Sequence, residues 1–341
     1  MKKLFVFLGI ALWAVGSAAS AQEVASTVPM QKSSWGDAET SEDASYIPDI
    51  SLDMRGSYRM DPDYRYGRFS GDDLYIDING YINPQFSYSF NYTVANPYYG
   101  EFSGFDAVNW LTLTYEVGDF AFTAGKDALL MGSFEYDTNN IDSYYEMNSA
   151  FYNEFDCWKF GVSAAWYPAE DQELILQIAD SPFPEDGESR FSYALGWRGA
   201  WDWYESYWTA NLWQYGPEEF VKAINLGNRF CFGDLTVNLD FMTRFGDIDY
   251  SYGTTATLAP SYLLGDWGRV FAKAGWDMME EDNVFYGAGF EYFPLKENKD
   301  IRFHAVYTHN DYTVGDLFSI GLTWKMNITG GLKRLLGATE D

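Results

Sequence analysis

Residues 85–94 read QFSYSFNYTV, and ring or aliphatic side chains alternate there with amides and hydroxyls. The apolar members are Phe86, Tyr88, Phe90, Tyr92 and Val94, and the polar members are Gln85, Ser87, Ser89, Asn91 and Thr93. Successive side chains of a β-strand point to opposite faces, so this stretch predicts a strand with one apolar and one polar face. The fold depends on which solvent each face meets.

The amino terminus indicates export. A basic start, MKK, precedes the apolar run LFVFLGIALWAVG, and small residues in an A-x-A pattern end at Ala21. This arrangement predicts a secretory signal peptide over residues 1–21. A membrane helix is disfavoured because the run is too short to span roughly 30 Å of hydrocarbon. Residues 22–48 lack any period and are rich in acids, Ser and Thr, so we expect a flexible periplasmic leader.

Composition excludes several classes of protein. The formal net charge is −28, which argues against nucleic acid as a partner, because that binding needs clustered Lys and Arg. Aromatic residues make up 19% of the chain, too many for global disorder. Cys157, Cys231 and the two histidines are too few for a convincing metal site, and no cofactor is predicted. After the signal peptide no apolar run is long enough for a membrane helix, so any membrane crossing must use strands.

Alternation continues from 49 to 327 and predicts an all-β fold, a transmembrane antiparallel β-barrel of about 16 strands. Fourteen or eighteen strands remain alternatives. Tight junctions alternate with mostly longer ones, as in barrels that have short periplasmic turns and long external loops. The tight junctions are 83–85, 117–119, 232–234 and 264–267, and the longer ones are 61–71, 97–106, 128–155, 182–188, 246–251 and 278–282. Residues 328–341 form a C-terminal tail, either one short helical turn or disordered.

The two faces of the predicted strands carry different chemistry. One is nearly free of charge and rich in rings, and Tyr and Trp recur near strand ends, where they suit a membrane interface. The other collects the charges. A soluble sandwich would bury the rings in an oversized core, whereas a barrel turns them to lipid and the charges to a water-filled lumen. The signal peptide and the number of strands favour the barrel, which places the chain in the outer membrane of a Gram-negative bacterium.

The longest junction, 128–155, reads ALLMGSFEYDTNNIDSYYEMNSAFYNEF and contains no basic residue. An ordinary solvated loop is one interpretation. The sharper hypothesis is a third external loop that folds into the lumen as a constriction, with Glu135, Asp137, Asp142 and Glu146 facing a basic wall. The predicted wall residues are Arg55, Arg59, Arg198, Arg244, Arg269, Lys273 and Arg302. Opposed charges would set a field across the narrowest point and bias ion selectivity, with a sign that the residues do not fix.

The external acids favour divalent-cation bridges to lipopolysaccharide, and the ring-rich face favours outer-membrane lipid as a partner. The acids in question are Glu185, Asp186, Glu280, Glu281 and Asp282.

Two segments resemble a known family. WLTLTYEVGDFAFTAGKDALLMGSFEYD (110–137) contains Gly125, Lys126, Gly132 and Glu135, and DLYIDINGYINPQFSYSFNYTV (73–94) precedes it. Over about 50–180 the chain resembles the phosphate-selective porin O and P family. The resemblance implies a sixteen-stranded porin, narrowed by its third loop, that passes small hydrophilic solutes and assembles as a homotrimer. The chain departs from the family in having no dense run of lumen Arg and Lys and no terminal aromatic residue.

Three rival functions stay open. Lumen-side aromatic residues could form a track for sugar rings, namely Tyr75, Tyr81, Trp110, Phe271 and Phe285. A plugged structural barrel would conduct nothing. An outer-membrane hydrolase could use His304 or His309, but the chain has no G-x-S-x-G motif, and general acid–base catalysis needs a positioned partner. We therefore expect no enzyme activity and assign no catalytic residue.

Overall fold

The computed structural model describes residues 47–61, 66–96, 104–138, 140–183, 188–246, 253–278, 282–296, 298–313 and 315–335. The predicted signal peptide and most of the predicted leader lie outside these residues, as do Glu185, Asp186, Glu280 and Glu281. Within the described chain no helix combines the length and apolar character needed to cross a membrane.

Sixteen antiparallel strands close into one barrel, which confirms the predicted fold. Their bounds are β1 Asp49–Asp61, β2 Tyr66–Asn83, β3 Phe86–Ala95, β4 Val108–Val117, β5 Phe120–Ala128, β6 Trp158–Ala169, β7 Gln172–Asp180, β8 Phe191–Trp201, β9 Tyr204–Gly216, β10 Glu219–Phe232, β11 Leu235–Phe245, β12 Gly253–Leu263, β13 Gly268–Met278, β14 Asn283–Tyr292, β15 Ile301–Asn310 and β16 Gly315–Asn327. Each strand pairs with its neighbours in sequence, and β1 pairs with β16 from Ser51↔Asn327 to Met60↔Phe318. Closure leaves no strand edge with unpaired backbone groups in lipid.

The strands are joined by short turns at one end of the barrel, which transmembrane barrels place in the periplasm. Three of these turns contain a glycine with φ near +60°, a conformation that residues with a side chain rarely adopt. The glycines are Gly118, Gly233 and Gly265. Most connections at the opposite end are longer, and the predicted exception at 215–217 holds, because β9 ends at Gly216 and β10 starts at Glu219. The alternation of short and long junctions in the sequence therefore predicts correctly which connections lie at each end of the barrel.

The predicted junction 61–71 is wrong. Strand β2 begins at Tyr66 and pairs with β1 as far as Asp61↔Tyr66, so this hairpin extends further than expected. At Arg55/Gly56 the pairing between β1 and β2 shifts by one residue, so the period-two pattern of β2 changes phase there. The added part of the strand, RFSGD (68–72), is also polar enough to resemble a loop. Such a bulge inserts an unpaired residue that a period-two pattern cannot accommodate.

The apolar face points outward. On β7 exposed and buried residues alternate. Leu174, Leu176 and Ile178 are exposed, whereas Glu173 and Gln177 are buried on the inner face. Trp201 stacks on Tyr204 and Trp203 on Phe230 beside the turn after β8, as expected of an aromatic girdle at a membrane boundary. A barrel with apolar side chains outside and charges inside excludes the soluble sandwich.

Two α-helices accompany the barrel in the part of the chain that the structure describes. Helix α1, Ala150–Glu154, lies in the connection between β5 and β6, and α2, Ile328–Leu335, follows the last strand. Thr329 attaches α2 to the start of β1, because its Oγ1 accepts from Ile50 N at 2.9 Å and donates to the carbonyl of Pro48 at 2.8 Å. The part of the predicted tail that the structure describes is thus helical and longer than one turn.

Candidate functional site

The connection from Leu129 to Cys157, hereafter the third loop, packs against the inner face of the barrel. Leu130 N donates to Gln177 Oε1 and Asn211 Nδ2 donates to Leu130 O, both at 2.7 Å. Gly132 N then donates to Thr209 Oγ1 at 2.9 Å. These bonds turn the chain inward from the end of β5 and lay it across β7 and β9. Most of its described side chains are buried.

Asp240 on β11 holds the first turn of the loop. Its carboxylate accepts from the Ser133 hydroxyl at 2.8 Å and from the backbone N–H groups of Phe134 at 3.1 Å and Glu135 at 2.9 Å. An inward carboxylate is here satisfied by loop donors rather than by a cation. Sequence reasoning missed this role, because the partners are more than a hundred residues apart.

Each of the four acids predicted for the loop contacts a different cation of the predicted wall. Glu135 lies 2.6 Å from Lys273 Nζ, Asp137 lies 2.7 Å from Arg198 Nη2, and Glu146 lies 2.9 Å from Arg59 Nη1. Asp142 bonds Arg302 and also Lys325, whose Nζ is 2.9 Å away. Lys325 was not among the candidate residues, although its position on the charged face of β16 is readable from the alternation.

The other three predicted wall cations have different partners. Arg55 donates to the loop carbonyls of Ile141 and Ser143 and lies 3.7 Å from Asp73. Arg269 pairs with Glu291 of the next strand at 2.7 Å. Arg244 has no carboxylate within 4.0 Å among the described residues. It donates to Thr255 at 3.1 Å and lies 4.0 Å over the ring of Phe151.

The pairs change the predicted electrostatics of the lumen. The hypothesis placed acids and bases on opposite sides of a gap, but the structure brings them into direct contact. Paired charges largely cancel each other's field at a distance, and four of the seven predicted wall cations hold a loop carboxylate. Removing one partner of a buried pair typically costs about 3–5 kcal/mol, because the other charge is left uncompensated.

Two loop carboxylates respond oppositely to this environment. Burial raises the pKa of Asp142, but Arg302 and Lys325 outweigh it, and its pKa lies below the ordinary value of 3.8. Burial also raises the pKa of Glu146, and Arg59 compensates only in part, so this pKa stays above 4.5. The Asp142 contact is therefore the more resistant of the two to acid.

An apolar cluster fixes the far end of the loop. Phe151 and Phe155 pack with Trp213 at ring separations of 6.0 and 4.8 Å, and Val221 and Met242 belong to the same buried cluster. Trp213, Val221 and Met242 occupy inward positions of β9, β10 and β11, where a water-filled lumen would favour polar residues. Those three residues are the sequence signal that something apolar covers this wall.

Three of the five aromatic residues predicted for a sugar track are covered. Tyr75 is 2% and Phe285 0% exposed, so neither ring face is available to a solute. The hydroxyl of Tyr75 bonds Asp73 and Tyr145, and Phe271 stacks on Tyr144 at 5.3 Å. Tyr75 and Phe271 pack the loop against the wall.

The histidines do not form an obvious catalytic group. His304 is buried, packs edge-on against Tyr144 at 5.5 Å, and has no hydrogen bond to a carboxylate within the described chain. His309 contacts Asp316 at 2.9 Å and Asp311 at 3.1 Å on the outer side of β15, away from the lumen.

One cleft lies on the inner face of β4–β8, beside the root of the third loop. It reaches from Leu130 and Gln177 to Glu116 and Tyr167 near the short turns. Its remaining lining residues are Thr114, Ala121, Thr123, Ser163, Ala165, Glu173, Ile175 and Arg198. Hydroxyl, amide and carboxylate oxygens predominate among its polar groups.

Comparisons with known proteins agree with this architecture. Residues 49–203 match the model of the family described as phosphate-selective porin O and P. A search of curated proteins finds no match.

Solved structures show the same fold. OmpT of Vibrio cholerae with loop L8 deleted superposes with a TM-score of 0.59 at 15% identity, covering 82% of this chain and 99% of that one. In-vitro folded OmpT, in its trimer form, gives 0.57 at 13% identity with the same coverage. A mutant of the porin of Rh. blastica gives 0.59 at 11% identity, covering 82% and 100%.

The match over residues 49–203 confirms the resemblance to the phosphate-selective porin O and P family seen in the sequence, and the chain is a closed sixteen-stranded antiparallel barrel with the fold of the solved porins.

Proposed function

We propose that this protein is a non-enzymatic porin for passive diffusion of ions and small polar solutes, and that its third loop narrows the channel. The observation that carries the proposal is the placement of this loop against the inner wall, next to a polar cleft. A loop attached to several strands at once reduces the open cross-section without needing a separate plug domain.

The attachment is distributed around the barrel, which supports a fixed constriction. Bonds from the loop reach β7 through Gln177, β11 through Asp240, β13 through Lys273 and β1 through Arg55. A segment held at such distant points of the circumference crosses the lumen. We assign the four loop acids and the cations that they contact to this attachment, together with Arg55.

Phosphate selectivity does not form part of the proposal. A phosphate path would need unpaired Arg and Lys along the lumen. The seven wall cations predicted from the sequence are instead engaged with carboxylates or loop carbonyls, apart from Arg244, which is buried under Phe151.

We also propose that the barrel contacts outer-membrane lipid and lipopolysaccharide and assembles as a homotrimer. The apolar outer face and its aromatic girdle support the first assignment. The trimer form of the similarly folded OmpT supports the second.

Conductance of the refolded protein in a planar lipid bilayer tests the proposal. Discrete, stable current steps in KCl are expected. Silence from a protein shown to be folded by heat-modifiable electrophoresis would overturn diffusion and favour the plugged barrel, which the extensive burial of the third loop makes the natural rival.

A further inference from the structure

Resting on the proposed porin function, we infer that the permeation path runs along the cleft on β4–β8, and that Glu116 and Glu173 make it prefer cations over anions.

Most basic side chains of the lumen are paired with carboxylates, which largely cancel their positive potential. Beyond the pairs already described, Arg229 lies 3.0 Å from Glu205 and Lys159 lies 2.5 Å from Asp156. Arg244 has no carboxylate partner in the described chain, and it is 1% exposed and covered by the third loop. Among the described residues of β4–β8, no inward cation is thus both unpaired and accessible to a passing ion. Arg68, which is exposed, lies outside these strands, opposite Arg59 on the β1–β2 hairpin.

Carboxylates remain on the same inner surface. Glu116 is half-buried and has no basic side chain within 4.0 Å among the described residues. Glu173 lies 4.0 Å from Arg198, which is held more closely by Asp137 at 2.7 Å. Asp77 accepts from the neutral amide of Asn91 and has no cation within 4.0 Å among the described residues. The surplus charge on this side of the lumen is negative.

The cleft holds part of that surplus in its wall, with Glu116 half-buried and Glu173 4% exposed. Glu116 and Glu173 line it together with the hydroxyls of Thr114, Thr123 and Ser163. Oxygen atoms of this kind can replace water around a cation, whereas an anion meets repulsion from the carboxylates. Arg198, the one cation in the lining, is committed to Asp137 and lies 3.7 Å over the ring of Tyr207. Charge and lining therefore agree on the class of solute, small cations and neutral polar molecules.

Reversal potentials under a KCl gradient test the inference. The unmodified protein should show a K⁺ to Cl⁻ permeability ratio above one. Glu116→Gln and Glu173→Gln should each lower this ratio by about twofold, the effect of one charge acting through several ångströms of water. Glu170→Gln is the matched control, because it removes the same charge from the exposed turn between β6 and β7 and should leave the ratio unchanged.

The outcomes separate this inference from the function on which it rests. Channels that conduct but prefer anions, or that lose selectivity equally in Glu170→Gln and Glu116→Gln, would overturn the cation path and leave the porin intact. Absence of conductance from folded, unmodified protein would overturn the porin and the inference with it. Glu116 has no cation within 4.0 Å among the described residues, and Gln has nearly the same shape as Glu. Heat-modifiable electrophoresis should therefore show both variants folded.

Discussion

Lys273 Nζ lies 2.6 Å from Glu135 Oε1, although 138 residues separate the two in the chain. The contact joins the third loop to β13, and the same ammonium bonds Asn148 Oδ1 at 2.6 Å further along that loop. The other Glu135 oxygen accepts from the Ser149 hydroxyl at 2.8 Å. One cation thus closes the loop on itself and onto the wall.

Lys273→Met should therefore release the loop. Glu135 would remain buried without its counter-charge, a loss of about 3–5 kcal/mol for a buried pair, and the loop would become accessible to protease. Limited proteolysis in detergent, followed by mass spectrometry, should find cuts within the loop. Lys296→Met, in an exposed turn, is the control and should be cut like the unmodified protein. Adding Glu135→Gln to Lys273→Met should restore part of the resistance, and failure to do so would remove the pair as the cause.

Asp240→Asn should destabilise the barrel by about 1.5–3 kcal/mol, the usual contribution of hydrogen bonds to a charged group. The amide keeps one acceptor oxygen and turns an N–H₂ group toward donors from the Ser133 hydroxyl and the loop backbone. Urea unfolding in lipid vesicles measures the change. Asp234→Asn, in the exposed turn before β11, should leave the midpoint unchanged, and equal shifts in the two variants would count against a specific role for Asp240.

As the pH falls, Glu146 should become protonated before Asp142. The pKa of Asp142 is lowered on folding, so its pairs with Arg302 and Lys325 stabilise the protein fully above pH 3.8, and this contribution is lost as the pH falls through the lower folded value. The pKa of Glu146 is raised, so the cost of burying its charge is relieved as the pH falls toward 4.5. The difference in stability between the unmodified protein and Asp142→Asn should thus persist from about pH 7 to about pH 4. Glu146→Gln should show less change with pH than the unmodified protein over that range. If the difference in stability between the unmodified protein and Asp142→Asn vanished by about pH 5, this assignment would be contradicted.

A thiol placed in the cleft should report the ion path. Ser163→Cys should react with a positively charged methanethiosulfonate reagent and lower the single-channel conductance, because Ser163 lines the cleft. The matched variant Ser192→Cys should react slowly, since that side chain is 2% exposed. The unmodified protein, with Cys157 and Cys231 free, gives the background rate. Equal rates and equal loss of current in the two variants would place the path elsewhere.

Period-two alternation was sufficient to predict the strands, their number and the direction of the rings, because lipid and water select side chains on alternate positions. The β1–β2 hairpin escaped the pattern because of the shift at Arg55/Gly56. Contacts such as Glu135–Lys273 and Asp240–Ser133 could not be read in advance, since they join a loop without periodicity to distant strands. The inward Trp213, Val221 and Met242 were the available signal that part of the wall is covered.

The central claim is that the third loop narrows a conducting lumen. The most direct test compares single-channel conductance of the unmodified protein with that of a variant in which residues 133–153 are replaced by a short Gly-Ser linker. Discrete steps in the unmodified protein and steps several times larger in the variant are expected. Equal conductance in the two folded proteins would contradict the claim.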